Sequence, residues 1–131
     1  MAQATVIDGR ALAGAVKEDL KTRVETLLDS GTKVQLDAIM VGGDEGARLY
    51  AKNQAKACHA IGIAYTLHEI SEDITQESLL EFIDQLNANS EVAAMMVHMP
   101  MPDSIDAAVI QSHILAVKDV EGVNPSNIGN V

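Results

Sequence analysis

The sequence contains few of the residues that secreted or nucleic-acid-binding proteins depend on, namely cysteine, lysine, arginine and aromatic residues. Its single cysteine, Cys58, excludes an intramolecular disulfide and fits a reducing cytoplasm. It has only nine lysine and arginine residues and a formal charge of −10, whereas binding to a phosphate backbone needs a basic surface. It also has no tryptophan, two tyrosines and one phenylalanine, too few aromatic rings for a base-stacking platform. We therefore expect no nucleic-acid partner.

Long hydrophobic runs are absent as well. No apolar run approaches the roughly 18 residues that a membrane helix needs. The opening residues, MAQATVIDGR, lack the basic-then-apolar pattern of a signal peptide. We expect a cytoplasmic protein with no membrane partner. The apolar content of 47% over 131 residues is enough for one globular domain with its own core.

The chain alternates between strand-like and helix-like segments. The patterns predict strands at 4–8, 34–42, 63–70 and 92–99, and helices at 9–29, 46–61, 75–87 and 104–117, followed by an irregular tail. This order predicts an α/β fold, a layered and largely parallel β-sheet flanked by helices in alternating β-α units. Ligands of such sheets bind beyond the carboxyl ends of the strands, here VGGDEG, HEISED and VHMPMP.

One helix face carries a tyrosine at its polar end. Tyr50, Gln54, Ala57, Cys58 and Ile61 share this face at about 100° per residue. The face is either a pocket wall or an ordinary packing surface with the tyrosine hydroxyl in water. The GGDEG segment before it predicts a tight turn and not a phosphate loop, because no Gly-Lys-Ser/Thr follows and its two acids repel phosphate.

Histidines are few and scattered. His98 closes an apolar strand at the predicted ligand edge, where it is either a catalyst or a hydrogen-bonded neutral side chain. The other three, His59, His68 and His113, have no metal-ligand spacing with each other or with Cys58, so we predict no metal site.

Two acids stand in the tail KDVEGVNPSNIG. Near a pocket, the carboxylate of Asp119 or Glu121 can accept paired N–H donors from a guanidine-like ring edge. Otherwise both are solvated surface acids.

Four blocks together resemble a known family. VIDGRALA, MVGGDEGARLYAKNQAKACHAIGI, VHMPMP and KDVEGVNPSNIG are similar, in the same order and at the expected spacing, to the amino-terminal domain of the methylenetetrahydrofolate dehydrogenase/cyclohydrolase enzymes. The resemblance implies that this domain supplies most of a tetrahydrofolate site. It also implies a second, Rossmann-type domain that binds NAD(P), removal of a hydride from 5,10-methylenetetrahydrofolate, and hydrolysis of the methenyl product.

The resemblance assigns substrate-binding roles to several residues. It implies that Tyr50 stacks on the folate, that Val97, Pro100 and Pro102 form the rim, and that Glu121 replaces the aspartate that binds the pterin edge.

The catalytic positions depart from the family pattern. The resemblance places Tyr50, Gln54 and His98 in the catalytic set, but Gln54 stands where the family has the lysine that drives hydrolysis, and His98 where it has a glutamine. Lys52 and Lys56 lie about 200° and 240° round the helix from Tyr50, so neither replaces the missing lysine. A neutral amide cannot transfer a proton near neutral pH, so we predict that the cyclohydrolase step is lost or weak. The hydride step depends on positioning and is compatible with Gln54.

The domain organisation follows from the same resemblance. Residues 1–131 form a single folate-binding catalytic domain, and the NAD(P)-binding Rossmann domain is expected after residue 131 of a longer protein. The chain alone then binds no cofactor, is inactive, and is a monomer, whereas full-length family members resemble homodimers. The alternative is a catalytically inactive paralogue that acts as a binding module for a pterin-like ligand. A third possibility is an interaction protein that keeps only the scaffold.

Overall fold

The structure, a computed structural model, describes residues 4–131. In chain order, the helices and strands of these residues are α1 (Gly9–Asp29), β1 (Gln35–Val41), α2 (Glu45–Ala60), β2 (Ala64–Ile70), α3 (Gln76–Ala88), β3 (Ala94–Val97), α4 (Ala107–His113) and α5 (Pro125–Ile128). The strands form one parallel sheet in the order β2-β1-β3. This confirms the predicted α/β fold of alternating β-α units.

The sheet has helices on both faces. Side chains alternate between the faces along each strand, so Ile39 and Val41 of β1 point to the same side. There they join Leu79 and Ile83 of α3 and Ile110 of α4 in the buried apolar cluster. The opposite face is covered by α2, which packs along β2. The core therefore lies mainly between the sheet and the pair α3 and α4.

Local sequence signals explain where the helices start. The side chain of Thr75 accepts a hydrogen bond from the backbone N–H of Ser78 at 3.1 Å, which caps α3. Asp44 caps α2 in the same way, through the backbone N–H of Ala47 at 2.8 Å. At the far ends of α1 and α2, Gly31 (φ 83°) and Gly62 (φ 87°) adopt the left-handed conformation that stops a helix.

The predicted strand at 4–8 is wrong. These residues form no strand, and Asp8 instead caps α1 by accepting a hydrogen bond from the backbone N–H of Ala11. A strand needs a neighbour to pair with, but Val6 and Ile7 are 88% and 85% exposed. Apolar character alone therefore misidentified this segment.

Three other predicted boundaries differ from the structure. The last strand spans Ala94–Val97 and not 92–99, because a turn joins the N–H of Val92 to the carbonyl of Asn89. The helix predicted at 104–117 is shorter, Ala107–His113, and starts at its cap, Asp106. The tail, predicted to be irregular, contains the single turn α5.

Candidate functional site

The carboxyl ends of β1 and β3 open into two adjoining cavities. A cavity of about 360 Å³ is lined by Met40, Val41, Gly42, Gly43, Asp44, Ala47, Glu72, His98, Met99, Pro100, Met101 and Pro102. A second cavity, of about 280 Å³, is lined by Ala47, Tyr50, Met96, Val97, His98, Met99 and Glu121. We call these the loop cavity and the tyrosine cavity. They lie at the edge of a parallel sheet where ligands are expected to bind.

The turn after β1 is tight, as the sequence predicted. Gly42 and Gly43 have φ of 69° and 100°, and a Cβ on Gly43 would lie 2.8 Å from the sulfur of Met40. Arg48 of α2 holds the turn by donating from Nη1 to the carbonyl of Gly43 at 2.9 Å. Its Nε donates to Glu69 of β2 at 3.0 Å. A larger residue at Gly43 would be strained by the left-handed backbone and would require the Met40 side chain to move.

Tyr50 and His98 form the boundary of the tyrosine cavity. Their rings meet edge to face, with centroids 5.7 Å apart and planes at 83°. The Tyr50 side chain is 59% exposed, so one face of its ring is open to a ligand. Of the two interpretations open for Tyr50, the structure therefore favours a cavity wall.

His98 is almost fully buried at the edge of the cavity. It is only 6% exposed, and among residues 4–131 no group lies within hydrogen-bonding distance of its Nε2. Burial lowers the pKa of His98 below its ordinary value of 6.5, so the ring is neutral near pH 7. An unpaired buried nitrogen costs about 1–3 kcal/mol.

Gln54 lies behind the cavity wall. Its amide oxygen accepts a hydrogen bond from the Tyr65 hydroxyl at 2.9 Å, and its amide nitrogen donates to the sulfur of Met96 at 3.0 Å. Met96 in turn lines the tyrosine cavity. Burial, with smaller contributions from Cys58 and Tyr50, raises the pKa of Tyr65 to about 12, so its hydroxyl stays protonated and remains a donor. Both polar ends of Gln54 are thus engaged by the protein.

Glu121 reaches the tyrosine cavity from the carboxy-terminal loop. Partial burial raises the pKa of this carboxyl above its ordinary value of 4.5, and the negative charge of Asp119 adds to the rise. Its carboxyl oxygens are acceptors beside two rings. That arrangement suits a flat ring that carries N–H donors on one edge.

The structure brings most of the predicted site residues together. Tyr50, Val97, His98 and Glu121 line the tyrosine cavity, and Pro100 and Pro102 line the loop cavity beside it. The Met99–Pro100 peptide bond is cis. Gln54 is the exception, because Met96 stands between it and the cavity.

The model of one protein family covers most of the chain. The model described as "Tetrahydrofolate dehydrogenase/cyclohydrolase, catalytic domain" matches residues 7–121. The chain belongs to this family. The family match includes every residue of the two cavities.

Individual members of the tetrahydrofolate dehydrogenase/cyclohydrolase family show how much of the enzyme this chain represents. The bifunctional protein FolD of Campylobacter jejuni is 38% identical over 95% of the chain, and the match covers 44% of that protein. A 5,10-methylenetetrahydrofolate dehydrogenase from the silkworm Bombyx mori superposes with a TM-score of 0.94 at 32% identity, over 98% of this chain and 44% of that one. The Trypanosoma brucei enzyme, solved with NADP and an inhibitor, gives a TM-score of 0.91 at 31% identity, over 99% and 44%. The chain therefore spans less than half the length of these relatives.

Sequence reasoning missed several polar contacts between side chains of the fold. Asp37, buried in β1, accepts a hydrogen bond from Gln35 Nε2 at 2.7 Å, and its other carboxylate oxygen lies 2.6 Å from His68 Nε2. A charged residue inside an apolar strand is itself a signal that such partners exist. The contact between Tyr65 and Gln54 carries no comparable signal.

The described residues contain neither a metal-binding cluster nor a membrane-spanning helix. In residues 4–131, no three histidine, cysteine, aspartate or glutamate side chains form a group able to hold a metal ion. Across the same residues, no helix combines the length and the apolar character needed to cross a membrane.

Proposed function

We propose that this chain is the folate-binding domain of a methylenetetrahydrofolate dehydrogenase-type enzyme of one-carbon metabolism. The observation that carries the proposal is the tyrosine cavity, where the exposed side chain of Tyr50, the buried ring of His98 and the side chain of Glu121 line one surface. A pterin-type ligand has what these groups require, namely a flat ring system and an edge of N–H donors.

Each residue has a distinct part in this proposal. Tyr50 stacks on the ligand and Glu121 accepts hydrogen bonds from its donor edge. His98 supplies or receives one hydrogen bond. The remaining substrate contacts are apolar and come from Val97 and from the rim prolines, Pro100 and Pro102. Because an ionised Glu121 is the better acceptor, affinity should fall as the pH drops through the raised pKa of Glu121.

The dehydrogenase step needs a hydride acceptor next to the folate. We propose that it is NAD(P), bound by a Rossmann domain that follows residue 131 in a longer cytoplasmic protein, while this chain binds no cofactor itself. The NADP in the Trypanosoma brucei relative supports this arrangement. We also propose that the longer protein is a homodimer and that this chain alone is monomeric and inactive as a dehydrogenase.

The cyclohydrolase step is proposed to be lost or weak. Hydrolysis needs a group that changes its protonation state, but the amide of Gln54 is neutral and already engaged by Tyr65 and Met96. Lys52 does not substitute, because it lines a separate groove on the β2 side of α2. His98 is one of the titratable groups that remain at the cavity, together with Glu121. If a His98→Gln variant kept full activity, His98 would have no role in proton transfer.

A second candidate function is a non-catalytic binding module. The engagement of Gln54 behind the wall favours it, because a cavity that has lost its proton-transfer group still binds. A longer protein that contains a Rossmann domain and oxidises 5,10-methylenetetrahydrofolate would exclude this candidate.

Calorimetric titration of the chain with tetrahydrofolate and with a methenyl analogue tests the proposal. Calorimetry suits a protein that has no tryptophan to report binding by fluorescence. We expect micromolar to modestly weaker binding, lost in Tyr50→Ala. Tyr65→Phe is the matched control, because it removes a hydroxyl that lies behind the wall. Equal binding by wild type and Tyr50→Ala, or no binding by a folded sample, would contradict the assignment of the folate site to this chain.

A further inference from the structure

The loop that presents Glu121 is built around a single carboxylate. One oxygen of Asp119 accepts the backbone N–H groups of Glu121 at 3.2 Å and of Gly122 at 3.1 Å. Its other oxygen accepts the N–H of Asn124 at 2.8 Å and the side-chain amide of Asn127 at 2.9 Å. Four donors on one carboxylate fully occupy its lone pairs. Asp119 is therefore the centre of the segment 119–127.

This segment is anchored to the rest of the fold at both ends. At its start, the carbonyl of Lys118 accepts a hydrogen bond from the N–H of Met95 in β3 at 2.7 Å. The ammonium group of Lys118 donates to the carbonyls of Leu86 and Asn89 at the end of α3. Near its end, Asn127 donates to the carbonyl of Ala116 at 2.9 Å. The loop is thus tied to the sheet that carries Val97 and His98.

The side chain of Asn124 adds an internal tie. It donates to the carbonyls of Ser112 and Ile114 at 3.1 Å and 2.8 Å, which joins the loop to the end of α4. Gly122, at φ 70°, supplies the left-handed residue that turns the chain directly after Glu121. The backbone of Glu121 is therefore held on both sides.

We propose that Asp119 is a positioning residue whose four hydrogen bonds hold Glu121 against the tyrosine cavity beside Tyr50 and His98. The ligand-binding part of this inference rests on the proposed function, whereas the loop geometry does not. Asp119 acts only through Glu121, since it does not itself line either cavity.

The charge of Asp119 has a second effect on Glu121. Burial by itself would raise the pKa of Asp119, but the hydrogen bonds from Asn124, Asn127 and neighbouring N–H groups outweigh it and lower that pKa. Asp119 thus stays ionised and keeps the pKa of Glu121 raised. Asp119→Asn removes the charge and turns one acceptor oxygen into a donor that faces other donors. The pKa of Glu121 should then fall while its position is loosened.

Carboxyl-carbon NMR titration of the ligand-free chain tests this without any assumption about the ligand. In wild type we expect Glu121 to titrate above the ordinary glutamate range, and in Asp119→Asn at a lower pH. The control Asp29→Asn, on α1, makes the same change of net charge and should leave the Glu121 midpoint unchanged. A Glu121 midpoint that is the same in Asp119→Asn and wild type would overturn the proposal.

Tetrahydrofolate titrations of the same proteins, and of Asn127→Ala, separate this inference from the proposed function. Asn127→Ala removes one hydrogen-bond donor to Asp119 and keeps the Asp119 charge. It therefore still tests the positioning role if Asp119→Asn does not fold. We expect tetrahydrofolate binding to weaken on the order of ten-fold in Asp119→Asn and less in Asn127→Ala. Faster amide exchange at Glu121 and Gly122 should accompany both changes. One outcome is that wild type binds no tetrahydrofolate while the variants still change the Glu121 titration midpoint and the amide exchange rates. In that case Asp119 positions Glu121, but the assignment of a folate site to this chain is wrong. Unchanged exchange and unchanged affinity in both variants would overturn the positioning role.

Discussion

At the residue scale, the cavity wall combines one open ring with one buried, unpaired histidine. The burial of His98 has a consequence for stability that does not depend on any ligand. In the unfolded chain His98 titrates near 6.5, whereas in the folded chain its pKa is lower because burial disfavours the charged ring. Between these two values the unfolded state binds more protons. The free energy of unfolding must therefore fall as the pH drops from 6.5 through the lower, folded value.

Urea unfolding at pH 7.5 and 5.5 checks this consequence. We expect wild type to lose more stability over this interval than His98→Gln, which cannot titrate. The comparison between the two proteins cancels the contributions of Glu121 and of the other histidines. An equal loss in both proteins would show that the folded state accommodates a charged His98.

The second prediction at the residue scale concerns Gln54. Hydrolysis of methenyltetrahydrofolate needs no nicotinamide cofactor, so it can be followed on this chain by the loss of the absorbance of the methenyl form. We expect wild type to give no increase over the uncatalysed rate, because Gln54 cannot transfer a proton. Hydrolysis by wild type at a rate normal for the family would refute the prediction.

At the element scale, the helices differ sharply in how much they contribute to the core. The inner side of α3 is fully buried, and Ile83 on it is 0% exposed. Along α1 only Val24 is buried, and Leu12 is 61% exposed. Ile83→Ala should lower the free energy of unfolding by about 2–5 kcal/mol through loss of burial and creation of a cavity. Leu12→Ala is the matched control and should change it by about 0.5 kcal/mol or less. Similar losses in urea unfolding would contradict the described packing of α1.

The sequence predicted helices and strands well where a segment has both a periodic hydrophobic pattern and a neighbouring element to pack against or pair with. The periodicity of α2 and α3 and the apolar runs of β1 and β2 gave bounds close to those observed. The segment 4–8 has the pattern of a strand but no neighbouring strand. A local sequence pattern does not show whether a strand is available for pairing. The bridge between Met95 and Asp119 was missed for the same reason, since it joins residues that are distant in sequence.

The site, too, was predictable where the order of elements determines it and unpredictable where it depends on contacts between residues distant in sequence. Tyr50, Val97, His98 and Glu121 meet because the strand ends and the tail share one edge of a parallel sheet, which the order of elements predicts. Gln54 was expected in the cavity from its helix face. Its actual partners, Tyr65 and Met96, depend on how α2 is rotated against the sheet, and spacing along one helix does not determine that rotation.

At the scale of the whole molecule, the chain presents more than one concave surface. The tyrosine cavity lies at the carboxyl ends of the strands, and a groove of about 340 Å³ runs between α2 and β2, with His59 and Tyr65 among its lining residues. We propose folate binding at the tyrosine cavity alone. The small number of rings in this chain, four histidines, two tyrosines and one phenylalanine, makes the two surfaces easy to tell apart in solution.

The most direct measurement is therefore an NMR titration of the ring signals with tetrahydrofolate. The account predicts that the signals of His98 and Tyr50 shift together and saturate. The signals of His59, in the groove, and of His113, which is hydrogen-bonded to Asp84, should stay in place. A shift at His59 with His98 unmoved would put the ligand in the groove between α2 and β2. No shift at any ring would mean that this chain has no folate site of its own.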